Sequence, residues 1–130
     1  MRYLILFAVC SLPLAGCAAP DCSNPLTSTF SVTPTTATAD HVAKPPGNQA
    51  QFRPQLKTTY PAGCLLPVVR VIEDAIWTTS DSTNVQIDST IGTTNGLATC
   101  AGTTDGTATI TAKLPSATNA LSGSASLTCQ

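Results

Sequence analysis

The sequence is short of almost everything that charged or catalytic chemistry uses. Of its 130 residues only 10% are charged and 5% aromatic, and there is a single histidine, His41. The formal net charge is −1. Without Arg2, five basic residues (Lys44, Arg53, Lys57, Arg70 and Lys113) stand against seven acidic ones (Asp21, Asp40, Glu73, Asp74, Asp81, Asp88 and Asp105), which gives −2. No basic patch exists, so nucleic-acid binding lacks its electrostatic footprint. No C-x-x-C occurs, and with one histidine the cysteines make a poor zinc site; no metal or cofactor is expected. A catalytic histidine needs a nucleophile and an orienting partner. His41 follows Asp40 near a strand end and reads as a surface residue, while Ser and Thr are too abundant to single one out. Long helical periodicity is absent beyond the N-terminal stretch.

What is present is threonine, the commonest residue. Thr, Val and Ile favour strands because their branched side chains fit a pleated surface, and Gly, Pro, Asn and Asp punctuate them as turn residues do. A Thr-, Ser-, Ala- and Pro-rich chain can also be a disordered, glycosylated stalk, but the alternation here argues against that. Gly106 to Leu114 alternates throughout, with Ala108, Ile110, Ala112 and Leu114 on one face and Thr107, Thr109, Thr111 and Lys113 on the other. Such a pattern predicts a half-buried strand. Pro115 to Asn119 read as a loop, after which Ala125, Leu127 and Cys129 face inward from a last strand. Upstream, Phe30 and Val32, then Phe52, Pro54 and Leu56, then Ala75 and Trp77, then Val85 and Ile87, and finally Leu97 to Cys100 mark further short strands. About seven strands with turn signals between them predict an all-β sandwich whose core includes Trp77, Phe52, Leu56, Val85, Ile87, Ile110 and Leu127. Pro54 lacks the N–H that a central ladder needs, which marks its strand as a local edge or a bulge.

The chain begins with a positive Met1–Arg2 and an apolar stretch from Tyr3 to Leu14, too short to span a bilayer and suited to a signal-peptide core. Leu14-Ala15-Gly16-Cys17 follows. This resembles the lipobox of bacterial lipoproteins, which implies removal of residues 1–16 and a diacylglycerol thioether on Cys17. Residues 17–28 are then a lipidated N-terminus and short linker, and residues 29–130 the domain. The competing reading is an ordinary signal peptide cut near Ala18 or Ala19. By analogy, Ala18 after the cysteine points to the outer rather than the inner membrane of a Gram-negative cell. Of six cysteines, Cys10 falls in the leader and Cys17 takes the lipid. Cys22, Cys64, Cys100 and Cys129 remain, an even number that in an exported chain implies two disulfides.

A second resemblance lies in the domain. Ser31-Val32-Thr33-Pro34, Gln49-Ala50-Gln51-Phe52, Ile76-Trp77-Thr78-Thr79-Ser80-Asp81 with Val85, Asn95-Gly96-Leu97-Ala98-Thr99, Gly106 to Ala112 and Ser122 to Thr128 occur in this order. Together they resemble the bacterial immunoglobulin-like domains of group 2, from about Thr29 to Cys129. The longer connection from Pro61 to Glu73 and the four cysteines depart from that pattern. The resemblance implies an Ig-like β-sandwich, and its strand order bears on the cysteines, whose spacing leaves three pairings open. With alternating strand directions, Cys22 and Cys64 fall at one end and Cys100 and Cys129 at the other. Strands of ~17–20 Å separate the two ends, and a disulfide needs Cα atoms ~6 Å apart. The expected bridges are therefore Cys22–Cys64 and Cys100–Cys129.

Trp77 in this setting is a core tryptophan rather than a sugar-stacking platform. Tyr60, beside the long connection, is the best remaining stacking candidate. Glu73 and Asp74, adjacent in sequence, point to opposite faces of a strand and make a weak calcium site. Asp81, Asp88 and Asp105 sit in turn-like contexts that favour Asp for backbone reasons. The expected function is non-catalytic: a membrane-anchored cell-envelope lipoprotein whose Ig-like domain serves structure or adhesion, with an envelope protein or glycan as partner. A carbohydrate- or peptidoglycan-binding module is the alternative, and an enzyme the least favoured reading.

Overall fold

The Thr and small-apolar alternation does form strands. A computed structural model describes residues 20–64, 66–115 and 121–130, and among them there are ten strands in three sheets and no helix. The strands are β1 (Thr27–Thr33), β2 (Thr36–Ala39), β3 (Gln49–Gln51), β4 (Arg53–Thr59), β5 (Val68–Val71), β6 (Ile76–Thr79), β7 (Val85–Ile87), β8 (Leu97–Cys100), β9 (Gly106–Lys113) and β10 (Ser122–Cys129). One sheet has the order β1-β4-β5, a second β3-β8-β7, and the third β2-β10-β9-β6. The first two meet along the Gln49–Thr59 segment, which carries both β3 and β4. All pairings are antiparallel except β2 with β10. Buried side chains from all three sheets form one cluster that includes Phe52, Trp77, Val85, Ile110 and Leu127, an arrangement consistent with a β-sandwich. The leader expected over residues 1–16 and the expected lipid site Cys17 lie outside the described residues, as does most of the loop expected from Pro115 to Asn119.

Ten strands rather than about seven result from three local causes. The first strand divides at Pro34 and Thr35, so that β1 pairs with β4 and β2 with β10. The second divides at Phe52, whose N–H donates to the Gly96 carbonyl (2.9 Å). There the partner changes, because β3 pairs with β8 through Gln51, whereas β4 pairs with β5 from Gln55 onward. Pro54, without an N–H, lies between these two pairings, where a missing donor costs least, and its carbonyl accepts from Ile72 (3.0 Å). The third cause is β5, which forms inside the connection read from sequence as a long loop.

Threonine lines the outward face of the β9–β10 pair. Thr107 and Thr128 hydroxyls lie 3.0 Å apart, and the Thr111 and Ser124 hydroxyls 3.1 Å, the cross-strand pairing that stabilises such ladders. Between them Ala108, Ile110, Ala112, Ala125 and Leu127 point inward and are buried. Two expected core residues, Leu56 and Ile87, are only half-buried. Ile87 ends the edge strand β7.

Leu56 owes its exposure to an offset between sheets. A Cβ placed on Gly123 would lie 3.1 Å from the Ser31 Cα, so β1 crosses close to the start of β10 at that level. β10 begins only one residue earlier, at Ser122, opposite Lys113, which ends β9, and Lys113 in turn pairs with Ile76, the start of β6. Thr27–Thr29, with their partners Lys57–Thr59 and Val68–Val69, therefore extend past the regular strands of the four-stranded sheet by about three residues, ~10 Å. Leu56, paired with Phe30 and Arg70, stands at the start of this overhang.

Gly96 is the glycine the core cannot replace. Its φ is +83°, and a Cβ there would lie 2.6 Å from Trp77 Cζ2 and also strike the Phe52 carbonyl oxygen. G96A should lower stability by about 2–4 kcal/mol, combining a left-handed backbone with a rigid clash. Gly106 has ordinary φ and nothing within 4 Å of a Cβ, so G106A should be neutral or stabilising by up to about 1 kcal/mol. Urea midpoints of the two variants check the contrast.

Candidate functional site

Each cysteine of the domain is bonded. Cys22 and Cys64 are joined with Cα atoms 5.6 Å apart, and Cys100 and Cys129 with Cα atoms 5.8 Å apart. The first bridge closes the overhanging end. It lies beyond the Thr27–Thr59 rung and fixes the segment before β1 to the turn in which Cys64 N–H donates to Pro61 (3.1 Å). The second ties the end of β8 to the end of β10, across two sheets, at the opposite end.

The indole of Trp77 is buried, 5% exposed, so its N–H must find an acceptor. It donates to Asn95 Oδ1 at 2.7 Å. Asn95 is itself buried and donates from Nδ2 to the Ala75 carbonyl (3.1 Å). Its own carbonyl accepts from the Gln51 side chain (2.9 Å). This network links the segment before β6, the turn before β8 and the end of β3. Asn95 is the residue that sequence reasoning passed over. Its place beside Gly96 in a turn masked a core role that only the position of the Trp77 ring discloses.

Two surface features remain as sites. A groove of about 420 Å³ opens between β6 and β7, lined by Trp77, Thr78, Ser82, Val85, Gln86 and Ile87. Its walls offer hydroxyls and one amide but no charged group, and Trp77, which lines it, is buried. The second feature is the overhanging end of the β1-β4-β5 sheet. Leu26 is 65% exposed there, Leu66 85%, Val68 48% and Val69 57%. Lys57 and Arg70 are exposed beside them and Tyr60 is half-buried.

The titratable groups of the described residues gather into no larger cluster than a pair. His41, expected on the surface, is instead largely covered, with 13% of its side chain exposed. It is drawn in because its N–H donates to the Gln130 carbonyl (3.1 Å) at the foot of β10. Its Nδ1 lies 3.5 Å from Asp105 Oδ1, an ion-pair distance without hydrogen-bond geometry. Glu73 and Asp74 are exposed. Among the described residues no three of His, Cys, Asp and Glu cluster as a metal site.

Asp81 and Asp88 act as turn formers. Asp81 accepts from the Asn84 side chain (2.8 Å) and from the backbone N–H groups of Thr83 and Asn84 (both 3.1 Å). Asp88 accepts from the Thr90 hydroxyl and N–H. Hydrogen bonds from Asn84 to Asp81, and from Thr90 to Asp88, hold both carboxyls below the ordinary carboxylate range.

No protein-family model matches the chain, and no curated protein matches it.

Two measurements follow from this geometry. Asn95→Ala leaves the indole N–H and the Ala75 carbonyl without partners, which should cost about 1–3 kcal/mol, whereas Trp77→Ala should cost about 3–5 kcal/mol; chemical denaturation gives both. Separately, a carboxyl whose folded pKa is depressed contributes stability above its unfolded pKa, and the contribution is lost as pH falls through the folded pKa. Stability should therefore decline on acidification below about pH 4, and the Asp81→Asn, Asp88→Asn double variant should show a flatter acid limb in urea midpoints measured against pH.

Proposed function

We propose that the chain is an exported cell-envelope lipoprotein, anchored through Cys17, whose single Ig-like sandwich serves a structural or adhesive role without catalysis. The observation that carries this reading is the pairing of a lipobox-like Leu14-Ala15-Gly16-Cys17 with a two-disulfide all-β domain that begins a few residues later. Disulfides belong to oxidising compartments outside the cytoplasm, in agreement with export. The strand order supports the Ig-like assignment. β1, the Gln49–Thr59 segment, β8 and β7 fall in the order of one Ig sheet, and β10, β9 and β6 in that of the other. The first strand contributes to both, through β1 and β2.

A glycan-binding module remains the second reading, favoured by the groove beside Trp77. The buried position of the ring weakens it, since stacking needs an exposed aromatic face.

Mass spectrometry of the mature N-terminus tests the anchor. The expected product starts at Cys17 and carries a diacylglycerol thioether. A free N-terminus at Ala18, Ala19 or beyond removes the anchor and leaves a released protein.

A further inference from the structure

The apolar side chains of the overhanging end call for an occupant. Leu26, Leu66, Val68 and Val69 are exposed, and all lie on the side of the domain closed by Cys22–Cys64. A tether at Cys17, the reading on which this inference rests, would leave this end little freedom. Only four residues separate Cys17 from Cys22, and the bridge to Cys64 fixes Cys22 to the domain. The five Cα-to-Cα steps between the two cysteines reach at most ~18 Å even when fully extended. The overhang is thus the part of the domain brought nearest the lipid.

Its chemistry suits that place. Lys57 stands opposite Val69 on one face of the sheet and Arg70 shares the other face with Val68, so each face of this end carries a cation that attracts anionic headgroups. Their stems can lie along apolar surface while the charges stay in water. Half-buried Tyr60 adds an amphipathic ring of the kind enriched at membrane interfaces. Asp21 is the one acidic residue near Cys22, and it is engaged by the Ser23 hydroxyl and N–H. A short tether makes contact with the bilayer an intramolecular event, so a modestly apolar sheet end suffices to hold it.

We infer that the Leu26, Leu66, Val68 and Val69 end of the β1-β4-β5 sheet lies against the bilayer surface, holding the domain end-on with the Cys100–Cys129 end outward. Docking leaves the groove between β6 and β7 free for another partner.

The test uses the full lipidated protein in vesicles of phosphatidylethanolamine and phosphatidylglycerol, with the lipids carrying bromine as a fluorescence quencher. Val69→Trp places a reporter on the docking face, and Thr103→Trp places one in the exposed loop beside Cys100, at the far end. Trp77 contributes the same buried background to both. Leu66→Trp is a second reporter should Val69→Trp fold poorly. The docked geometry predicts loss of the added emission at Val69 and at Leu66 and none at Thr103. It further predicts that Lys57→Glu with Arg70→Glu reduces the loss. Unquenched emission at all three positions in protein whose Cys17 is acylated overturns the docking and leaves the anchor intact. Cross-linking of Val69 to a second copy, with no lipid quenching, overturns it by giving the face another occupant. An unacylated Cys17 overturns both the docking and the anchored reading.

Discussion

A buried indole N–H has to be satisfied, and much of this domain's interior is arranged around that requirement. Trp77 points from the edge strand β6 into the space between the sheets, where its only polar atom would otherwise face hydrocarbon. Asn95 supplies the acceptor, and its amide returns a hydrogen bond to Ala75 beside the same strand. Because Asn95 must come so close, the next residue has room for no side chain: Gly96 sits between the indole and the Phe52 carbonyl with a left-handed backbone. Phe52 in turn donates its N–H to Gly96 at the point where β3 ends and β4 begins. One ring nitrogen thus fixes a turn, a glycine and the break in the Gln49–Thr59 segment. Burying the ring contributes apolar free energy, but the polar network decides which single packing is adopted.

The covalent ties follow a different logic. A domain of little more than a hundred residues with small core side chains, many of them alanine, buries less apolar volume per strand than one filled with Leu and Ile. Cys22–Cys64 and Cys100–Cys129 compensate by restricting the unfolded chain, each by roughly 3–4 kcal/mol in the chain-entropy account. Their positions at opposite ends leave the middle of the sandwich to packing alone.

Much of this was legible in the residues. The period-two patterns of β9 and β10 were unambiguous because hydroxyl residues alternate with small or apolar ones, and alternation is what a sheet with one wet face imposes. The disulfide partners followed from the strand order that the Ig-like resemblance implies, which divides the loops between two ends. The strand count could not, because Pro34, Phe52 and the partner change near Pro54 break hydrogen-bond ladders without breaking the hydrophobic pattern. β5 was hidden for the opposite reason. Val68, Val69, Arg70 and Val71 are all exposed, so they show none of the polar and apolar alternation by which strands are recognised. His41 and Asn95 were misjudged or missed alike, because burial of a polar side chain depends on neighbours far away in sequence. The resemblance pieces included Asn95 but carried no sign of its tie to Trp77.

The Cys22–Cys64 bridge also governs how the domain bears load. A pull on residues preceding Cys22 would ordinarily peel β1 away from its neighbours one hydrogen bond at a time, beginning at Thr27. With Cys22 joined to Cys64, tension passes through the sulfurs into the β4–β5 connection as well, so it divides between the outer strand and the central strand of the same sheet. Load that enters both strands at once no longer acts to part β1 from β4. The bridge thus turns the attachment of an edge strand into a shared one, and the N-terminal end of the domain becomes its mechanically reinforced end.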